Sequence, residues 1–219
     1  MSRRHRKVSR LLPLVVVLVA AAGVSRAGPI PLVNGDFESP VISGPIATYA
    51  AGSTGLTGWT ISAGSVDQVA PWEQAGGAQS LDLSGADAGT IFQDVATVPG
   101  DAFLLTFSLA GNPDGGPAVR QVEVSWGGSP AGTISFDVTG KTRTNMGWTT
   151  EQLSLPAATG SSTRLQFRSL TAGQFGPVID NVAVSAVPLP AAVLAAPAAL
   201  ALAAILGRRR RTPLVSLGK

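Results

Sequence analysis

Between residues 28 and 187, apolar side chains recur at every second position in short runs. Phe103, Leu105, Phe107 and Leu109 share one side, with Leu104, Thr106 and Ser108 between them. Val122, Val124 and Trp126 alternate with Gln121, Glu123 and Ser125, and Ile134, Phe136 and Val138 follow the same rule. Leu165 and Phe167 alternate with Arg164, Gln166 and Arg168; Val178, Asp180, Val182 and Val184 alternate with Ile179, Asn181 and Ala183. Period two is the signature of half-buried strands. Turn chemistry separates the runs, as in Pro99-Gly100-Asp101, Gly111-Asn112-Pro113-Asp114-Gly115-Gly116 and Gly127-Gly128-Ser129-Pro130. Helical spacing is not sustained over ten residues anywhere in this region. The pattern predicts an all-β domain, an antiparallel two-sheet sandwich or jelly roll. Ser39 to Thr57, rich in Gly, Ser, Ala and Pro, reads as a long loop within it.

The two ends follow other rules. Arg3, Arg4, Arg6, Lys7 and Arg10 precede the uncharged run Leu11–Val24, and Ser25-Arg26-Ala27 offers small residues for a cut between Ala27 and Gly28. That order is a secretory signal peptide over residues 1–27, with Ala20-Ala21-Ala22 as a second possible cleavage site. An uncleaved anchor is the alternative, but the run is shorter than the ~20 residues a bilayer span needs. At the other end, Val187-Pro188-Leu189-Pro190 opens an Ala/Leu-rich stretch closed by Arg208, Arg209, Arg210 and Arg211. Residues 189–206 are just long enough for a membrane-spanning helix at about 1.5 Å per residue. The arginines favour the cytoplasmic side. Residues 188–211 therefore read as a sorting signal with a transmembrane helix, and 212–219 as a short cytoplasmic tail. A plain anchor without processing is the alternative.

Charge sharpens this division. The whole chain has a formal charge of +3 and a pI near 10, but the basic residues crowd the ends. Residues 28–187 hold all 13 acids and five bases, a net −8. An acidic exported domain repels phosphate backbones, which argues against nucleic-acid binding. No cysteine is present, so the core must hold the domain without disulfides. The single histidine, His5, lies in the signal peptide. The domain can build neither a Ser-His-Asp nor a Cys-His nucleophile system, nor a His-ligated zinc site. Hydrolysis by a carboxylate pair stays open, but the expectation is a protein that is not an enzyme.

The domain resembles the choice-of-anchor C family of bacterial surface proteins. The ordered motifs are Asn34-Gly35-Asp36-Phe37-Glu38, Gly58-Trp59, Gln79-Ser80-Leu81-Asp82-Leu83-Ser84-Gly85, Gly89-Thr90-Ile91-Phe92-Gln93, Leu104 to Asn112, and Asp180-Asn181-Val182. That family is similar to plant cell-wall proteins and to galactose-binding-like jelly rolls, which implies non-catalytic association with polysaccharide or matrix. The tail resembles the PEP-CTERM sorting signal of Gram-negative bacteria in its Val-Pro-Leu-Pro-Ala form. This implies processing by an exosortase, an inner-membrane-anchored intermediate, and delivery to the cell surface, outer envelope or extracellular matrix. Leu189 stands where the standard motif has Glu, and residues 212–219 extend beyond the usual end.

Two candidate sites follow. Asp36, Glu38 and Asp180 lie near the two ends of the domain, and oxygen donors of this kind suit calcium. Resemblance to carbohydrate-binding modules implies a structural calcium held by the side chains of Glu38 and Asp180 and the carbonyl of Asp36; acids that cap turns are the alternative. Sugar binding needs an aromatic face beside hydrogen-bonding groups. Trp72, Glu73 and Gln74, in a loop before Gly76-Gly77, offer that combination, with burial of Trp72 against the Gln79–Leu83 strand equally open. Trp59, Trp126 and Trp148 read as core. Arg164 and Arg168 form a solvated strand face that could also meet acidic sugars. The leading reading is an exported polysaccharide-binding surface or matrix protein. The alternative is a structural or adhesive envelope protein that binds protein partners or itself.

Overall fold

The computed structural model describes residues Gly28–Val187. The signal-peptide cut at Ala27, the sorting residues Pro188, Leu189 and Pro190, the hydrophobic helix and Arg208–Arg211 all lie outside the described residues. Among the described residues every regular element is a strand, and no helix is long and apolar enough to cross a membrane.

In chain order the strands are β1 (Gly28–Ile30), β2 (Ile46–Ala50), β3 (Thr60–Ala63), β4 (Ser65–Val69), β5 (Ser80–Asp82) and β6 (Thr90–Ala96). They continue with β7 (Ala102–Gly111), β8 (Val119–Trp126), β9 (Ser129–Asp137), β10 (Thr149–Leu155), β11 (Ser162–Ser169) and β12 (Pro177–Val187). One sheet has seven strands in the order β10-β7-β12-β5-β4-β2, with β1 added beside β12. The other has five, β3-β6-β11-β8-β9. Every pairing is antiparallel. This is the all-β two-sheet sandwich that the alternation predicts.

The predicted apolar rows face each other across the sandwich. Phe103, Leu105, Phe107 and Leu109 of β7 are buried, as are Val122 and Val124 of β8 and Leu165 and Phe167 of β11. Burying each such side chain stabilises the fold by about 1.5–3 kcal/mol. Trp59 packs against Phe37 at 5.6 Å and edge-on to Phe167 at 6.2 Å, and Phe107 meets Phe167 edge-on at 5.3 Å. Trp126 packs against Phe103 with the rings tilted and their centroids 5.3 Å apart. The core readings of Trp59 and Trp126 agree with this packing; Trp148 is partly buried against the same cluster.

Two details depart from the expected pattern. The segment 39–57 is not all loop: β2 forms inside it and pairs with β4, Thr48 opposite Asp67. Its small residues hid a strand that sits at a sheet edge and buries little on either face. The second departure is in β12. Ile179 lies opposite Leu109 and Val184 opposite Leu105, so both face inward although they are five residues apart. A register shift between Asp180 and Ala183, with Asn181 at a φ of 51°, reverses the parity of the strand. Val178, Asp180, Val182 and Val184 therefore do not share one face. Asp180 lies opposite Ser108 on the outer side of the seven-stranded sheet.

The N-terminal turn locks onto this bulge. Val182 N–H donates to Gly35 O at 2.8 Å. A Cβ on Gly35 would lie 2.1 Å from Val182 O, so only glycine permits that approach. The turn also buries Phe37 completely and offers the carbonyl of Asn34 to the Trp59 indole N–H at 3.0 Å.

Candidate functional site

The outer faces of the two sheets have opposite characters. On the seven-stranded sheet, Val69, Asp82, Val178 and Ala110 alternate with the inward side chains of Gln68, Leu81, Ile179 and Leu109. They should meet solvent, yet all four are buried. The loops 70–79 and 138–148 are hydrogen-bonded to one another. Glu73 N–H donates to Arg143 O at 2.7 Å, Met146 N–H donates to a Glu73 carboxylate oxygen at 2.6 Å, and the Trp148 indole N–H donates to Glu73 O at 3.0 Å.

This arrangement corrects the expected sugar platform. Trp72 is only 6% exposed, so no indole face is open to a ring. The Gln74 amide N–H groups go to the carbonyls of Val69, Ala70 and Trp72 at 3.3, 3.2 and 2.8 Å. Glu73 is spent on the neighbouring loop. An aromatic beside polar residues in a Gly-rich loop has the same sequence appearance whether it binds sugar or braces a loop. The deciding partner, Met146, is 73 residues away.

The expected acid pair does converge, on the same loop. Glu38 Oε1 accepts from the N–H groups of Ala78 and Gln79, each at 2.8 Å. Asp180, fully buried, accepts from Gly76 N–H at 3.1 Å and from Asn181 N–H at 2.7 Å. Burial, with the Glu38 charge adding to it, pushes the Asp180 carboxyl up to about 7 against the pull of those N–H donors. Gly76 and Gly77 make the approach possible: a Cβ on Gly77 would lie 2.2 Å from Glu38 Oε1, and one on Gly76 would lie 2.8 Å from the Asn181 side chain. Asp36 is exposed. No group of three or more His, Cys, Asp or Glu suited to a metal occurs among the described residues. The chemistry of the pair nevertheless suits a hard cation, because a buried carboxylate beside a second one has no positive partner.

The outer face of the five-stranded sheet is less covered: Asp94, Arg164 and Arg168 are exposed and Phe92, Gln166 and Glu123 half-buried, while Thr90 and Ser125 are buried. One row runs Thr60–Phe92–Gln166–Ser125 across β3, β6, β11 and β8. The next runs Thr90–Arg168–Glu123–Thr133. Arg164 lies over the Phe92 ring, its guanidinium carbon 3.5 Å from the centroid, and grips Asp94 with two hydrogen bonds of 2.8 Å. That grip holds the Asp94 carboxyl below its ordinary range. Arg168 pairs with Glu123 at 3.1 and 3.2 Å, and Gln121 donates to Ser135 Oγ at 3.2 Å. The two arginines are thus on the solvated face expected of them, each matched to a carboxylate. Sequence alternation alone exposed these side chains; their pairing required the strand register.

A carboxylate pair also exists, but in the wrong place for hydrolysis. Asp67 and Asp82 lie opposite each other on β4 and β5. Burial pushes the Asp82 carboxyl well up, though Asn112 and Ser84 donate to it. With Asp82 only 1% exposed, no substrate reaches it. A groove of about 520 Å³ lies elsewhere, lined by Pro29, Ile30, Pro31, Val98 and Phe103 among others, and it gathers no catalytic constellation.

The family model described as "Protein of unknown function (DUF642)" matches residues 30–185. The chain belongs to the DUF642 family. The match takes in all the domain motifs quoted above, from Asn34 to Val182. A curated relative, halomucin of Haloquadratum walsbyi, is 29% identical over 198 residues, which cover 84% of this chain and 2% of halomucin. The chain thus spans a very small part of that relative. Among solved structures, a Stig cyclase from Fischerella sp. TAU, in complex with (3Z)-3-(1-methyl-2-pyrrolidinylidene)-3H-indole, superposes with a TM-score of 0.53 at 15% identity, covering 75% of this chain and all of the cyclase. At that identity the likeness shows a shared fold alone, and the DUF642 sandwich is a fold that also carries a cyclase. A family 35 carbohydrate-binding module from Clostridium thermocellum is similar at a TM-score of 0.42 and 16% identity, over 64% of this chain and 98% of the module. That superposition is too loose to transfer a binding site.

Proposed function

We propose that this DUF642 protein is an exported, non-catalytic surface or matrix protein whose sandwich binds polysaccharide on the outer face of β3-β6-β11-β8-β9. The observation that supports the reading is the partly exposed face that carries Phe92, Gln166 and the two arginine–carboxylate pairs in neighbouring rows. The pairs hold planar donors and acceptors in fixed positions beside an aromatic ring. A flat, preorganised polar track of this kind matches the ring hydroxyls of a sugar chain and loses little side-chain freedom on binding. The opposite face offers nothing comparable, since its loops are hydrogen-bonded to each other.

The proposal extends to the ends of the chain. Within DUF642 the ordered motifs resemble the choice-of-anchor C type. Cleavage between Ala27 and Gly28 exports the chain, and the Val187–Pro190 motif, hydrophobic helix and Arg208–Arg211 hold it in the inner membrane until an exosortase acts. Structural calcium at Glu38 and Asp180 belongs to the same proposal. A divalent cation would supply the positive charge that the buried Asp180 lacks, and it would fasten the N-terminal turn to the 75–79 loop.

A glycan array probed with the full-length chain tests the core of the proposal. Binding to a class of polysaccharide supports it. Binding to none, with self-association or capture of envelope proteins instead, overturns it in favour of an adhesive role.

A further inference from the structure

Strand β2 forms one edge of the seven-stranded sheet, with β4 on its only paired side. Ala70 N–H donates to Pro45 O at 3.0 Å, and Ala51 N–H donates to Gly64 O at 2.9 Å. These two contacts fix the phase of the β2–β4 ladder. Ala47 and Tyr49 bond toward β4, so Ile46, Thr48 and Ala50 turn their N–H and C=O groups away from it. The Ala50 carbonyl accepts from Ser53 N–H at 2.9 Å. No residue of β2 is buried, and Ile46, Thr48 and Ala50 are exposed.

A bare edge is a template for another strand, and proteins ordinarily block it with charge, proline, a bulge or a cover. The other edges of this sandwich carry such blocks. Strand β1 has three residues with Pro29 at its centre. Strand β3 has a register shift after Ile61, and Gly52 and Ser53 bond to the backbone of Ile61. Strand β9 carries Pro130 and Asp137, and β10 carries Glu151. Strand β2 has none of them: its register is unbroken, and the chain holds no charged residue from Ser39 to Val66. Pro45, just before β2, lacks its N–H on the β4 side and leaves the outer edge intact.

We propose that β2 pairs antiparallel with β2 of a second copy of this chain, about a two-fold axis at Thr48, which joins the two seven-stranded sheets into one. Charge points to this occupant. Two domains of net −8 repel wherever their acids meet, and the uncharged β2 edge lets two copies approach without such a meeting. The acid next to it in register is Asp67, opposite Thr48 on β4 and bonded to the Thr48 hydroxyl at 2.6 Å. In the pair the two Asp67 residues would lie three strand spacings apart, about 14 Å, beyond the screening length of ~8 Å. The strand also fits itself. Thr48 would exchange both backbone bonds with its own copy, and each Ala50 N–H would donate to the other copy's Ile46 carbonyl. Ile46, 49% exposed, would lie opposite Ala50 and lose apolar surface to it. A contact of this size makes a weak dimer. The pairing does not rest on the glycan reading, because β2 belongs to the other sheet. If both hold, a two-fold axis perpendicular to the joined sheet turns both five-stranded faces to the same side, which suits bivalent attachment to one polysaccharide surface.

The chain has no cysteine, so a single introduced thiol reports the pairing. The full-length Thr48→Cys chain, oxidised in non-ionic detergent, should form a disulfide-linked dimer, because residues opposite each other in a ladder lie about 5.5 Å apart at Cα, within disulfide reach. Thr133→Cys, exposed on the edge strand β9, should stay unlinked. Sedimentation of the wild-type chain should show a concentration-dependent dimer. Thr48→Lys, which sets two like charges face to face at the axis, should weaken that dimer about tenfold or more with its melting midpoint kept. If Thr48→Lys does not fold, the thiol pair decides alone. A monomeric wild-type chain, as expected of an edge that takes a strand from a different protein, overturns the proposal. So does a dimer that Thr48→Lys leaves unchanged, or equal linkage through Thr48→Cys and Thr133→Cys. None of these results bears on the glycan array.

Discussion

The two outer faces of this sandwich differ in what covers them. Behind the seven-stranded sheet, two loops and a tryptophan close over residues that strand parity points outward. Behind the five-stranded sheet, the same parity leaves Arg164, Arg168 and Asp94 exposed and Phe92, Gln166 and Glu123 half-buried. The comparison teaches that polar residues beside an aromatic do not by themselves mark a site. Glu73 and Gln74 use their polar atoms to brace a loop, whereas the arginines of the other face pair with carboxylates at exposed positions.

The largest effect that could break the comparison is at Trp72. Trp72→Ala should cost roughly 3–5 kcal/mol in denaturant unfolding, with glycan affinity of the folded fraction unchanged. A stable Trp72→Ala protein that loses glycan binding would exchange the roles of the two faces.

Next in size is the acid pair. The folded-state carboxyl of Asp180 titrates near 7, raised from 3.8. A raised acid favours the folded state while it is protonated, so its contribution is complete below about pH 4 and is lost as pH rises toward 7. The loss is on the order of 4 kcal/mol. Melting without divalent ions should therefore fall across that window, and Asp180→Asn should flatten the fall. Millimolar calcium should restore the midpoint at pH 7; equal midpoints with calcium and with chelator would remove calcium from the account.

Much of the sandwich was legible because β7, β8 and β11 keep strict alternation and bury one side. Strand β2 was not legible, because an edge strand buries little and its Ala and Thr residues resemble loop composition. The reversal at Asn181 was hidden for another reason: a bulge is one residue of backbone geometry, and nothing in Asp180-Asn181-Val182 changes the apparent alternation. The meeting of Glu38 and Asp180 was legible from the adjacency of the first and last parts of a jelly roll. The role of Glu73 was not, since its partner belongs to a loop 73 residues away.

Smaller effects sharpen the contrast. Glu73→Ala leaves the buried Met146 N–H without its acceptor and should cost about 1–3 kcal/mol. Arg164→Ala removes an exposed ion pair, with side chains 46% and 48% exposed, and should cost no more than about 1 kcal/mol. If Arg164→Ala proved as destabilising as Glu73→Ala, the five-stranded face would be a structural one.

The most direct test is to map the bound glycan by amide chemical-shift changes on the full-length chain, using a polysaccharide fragment identified by the array. The account predicts changes clustered on Phe92, Asp94, Arg164, Gln166, Arg168 and Glu123, with the 70–79 loop unmoved. Changes centred on Trp72, Glu73 and Gln74, with the five-stranded face silent, would contradict it.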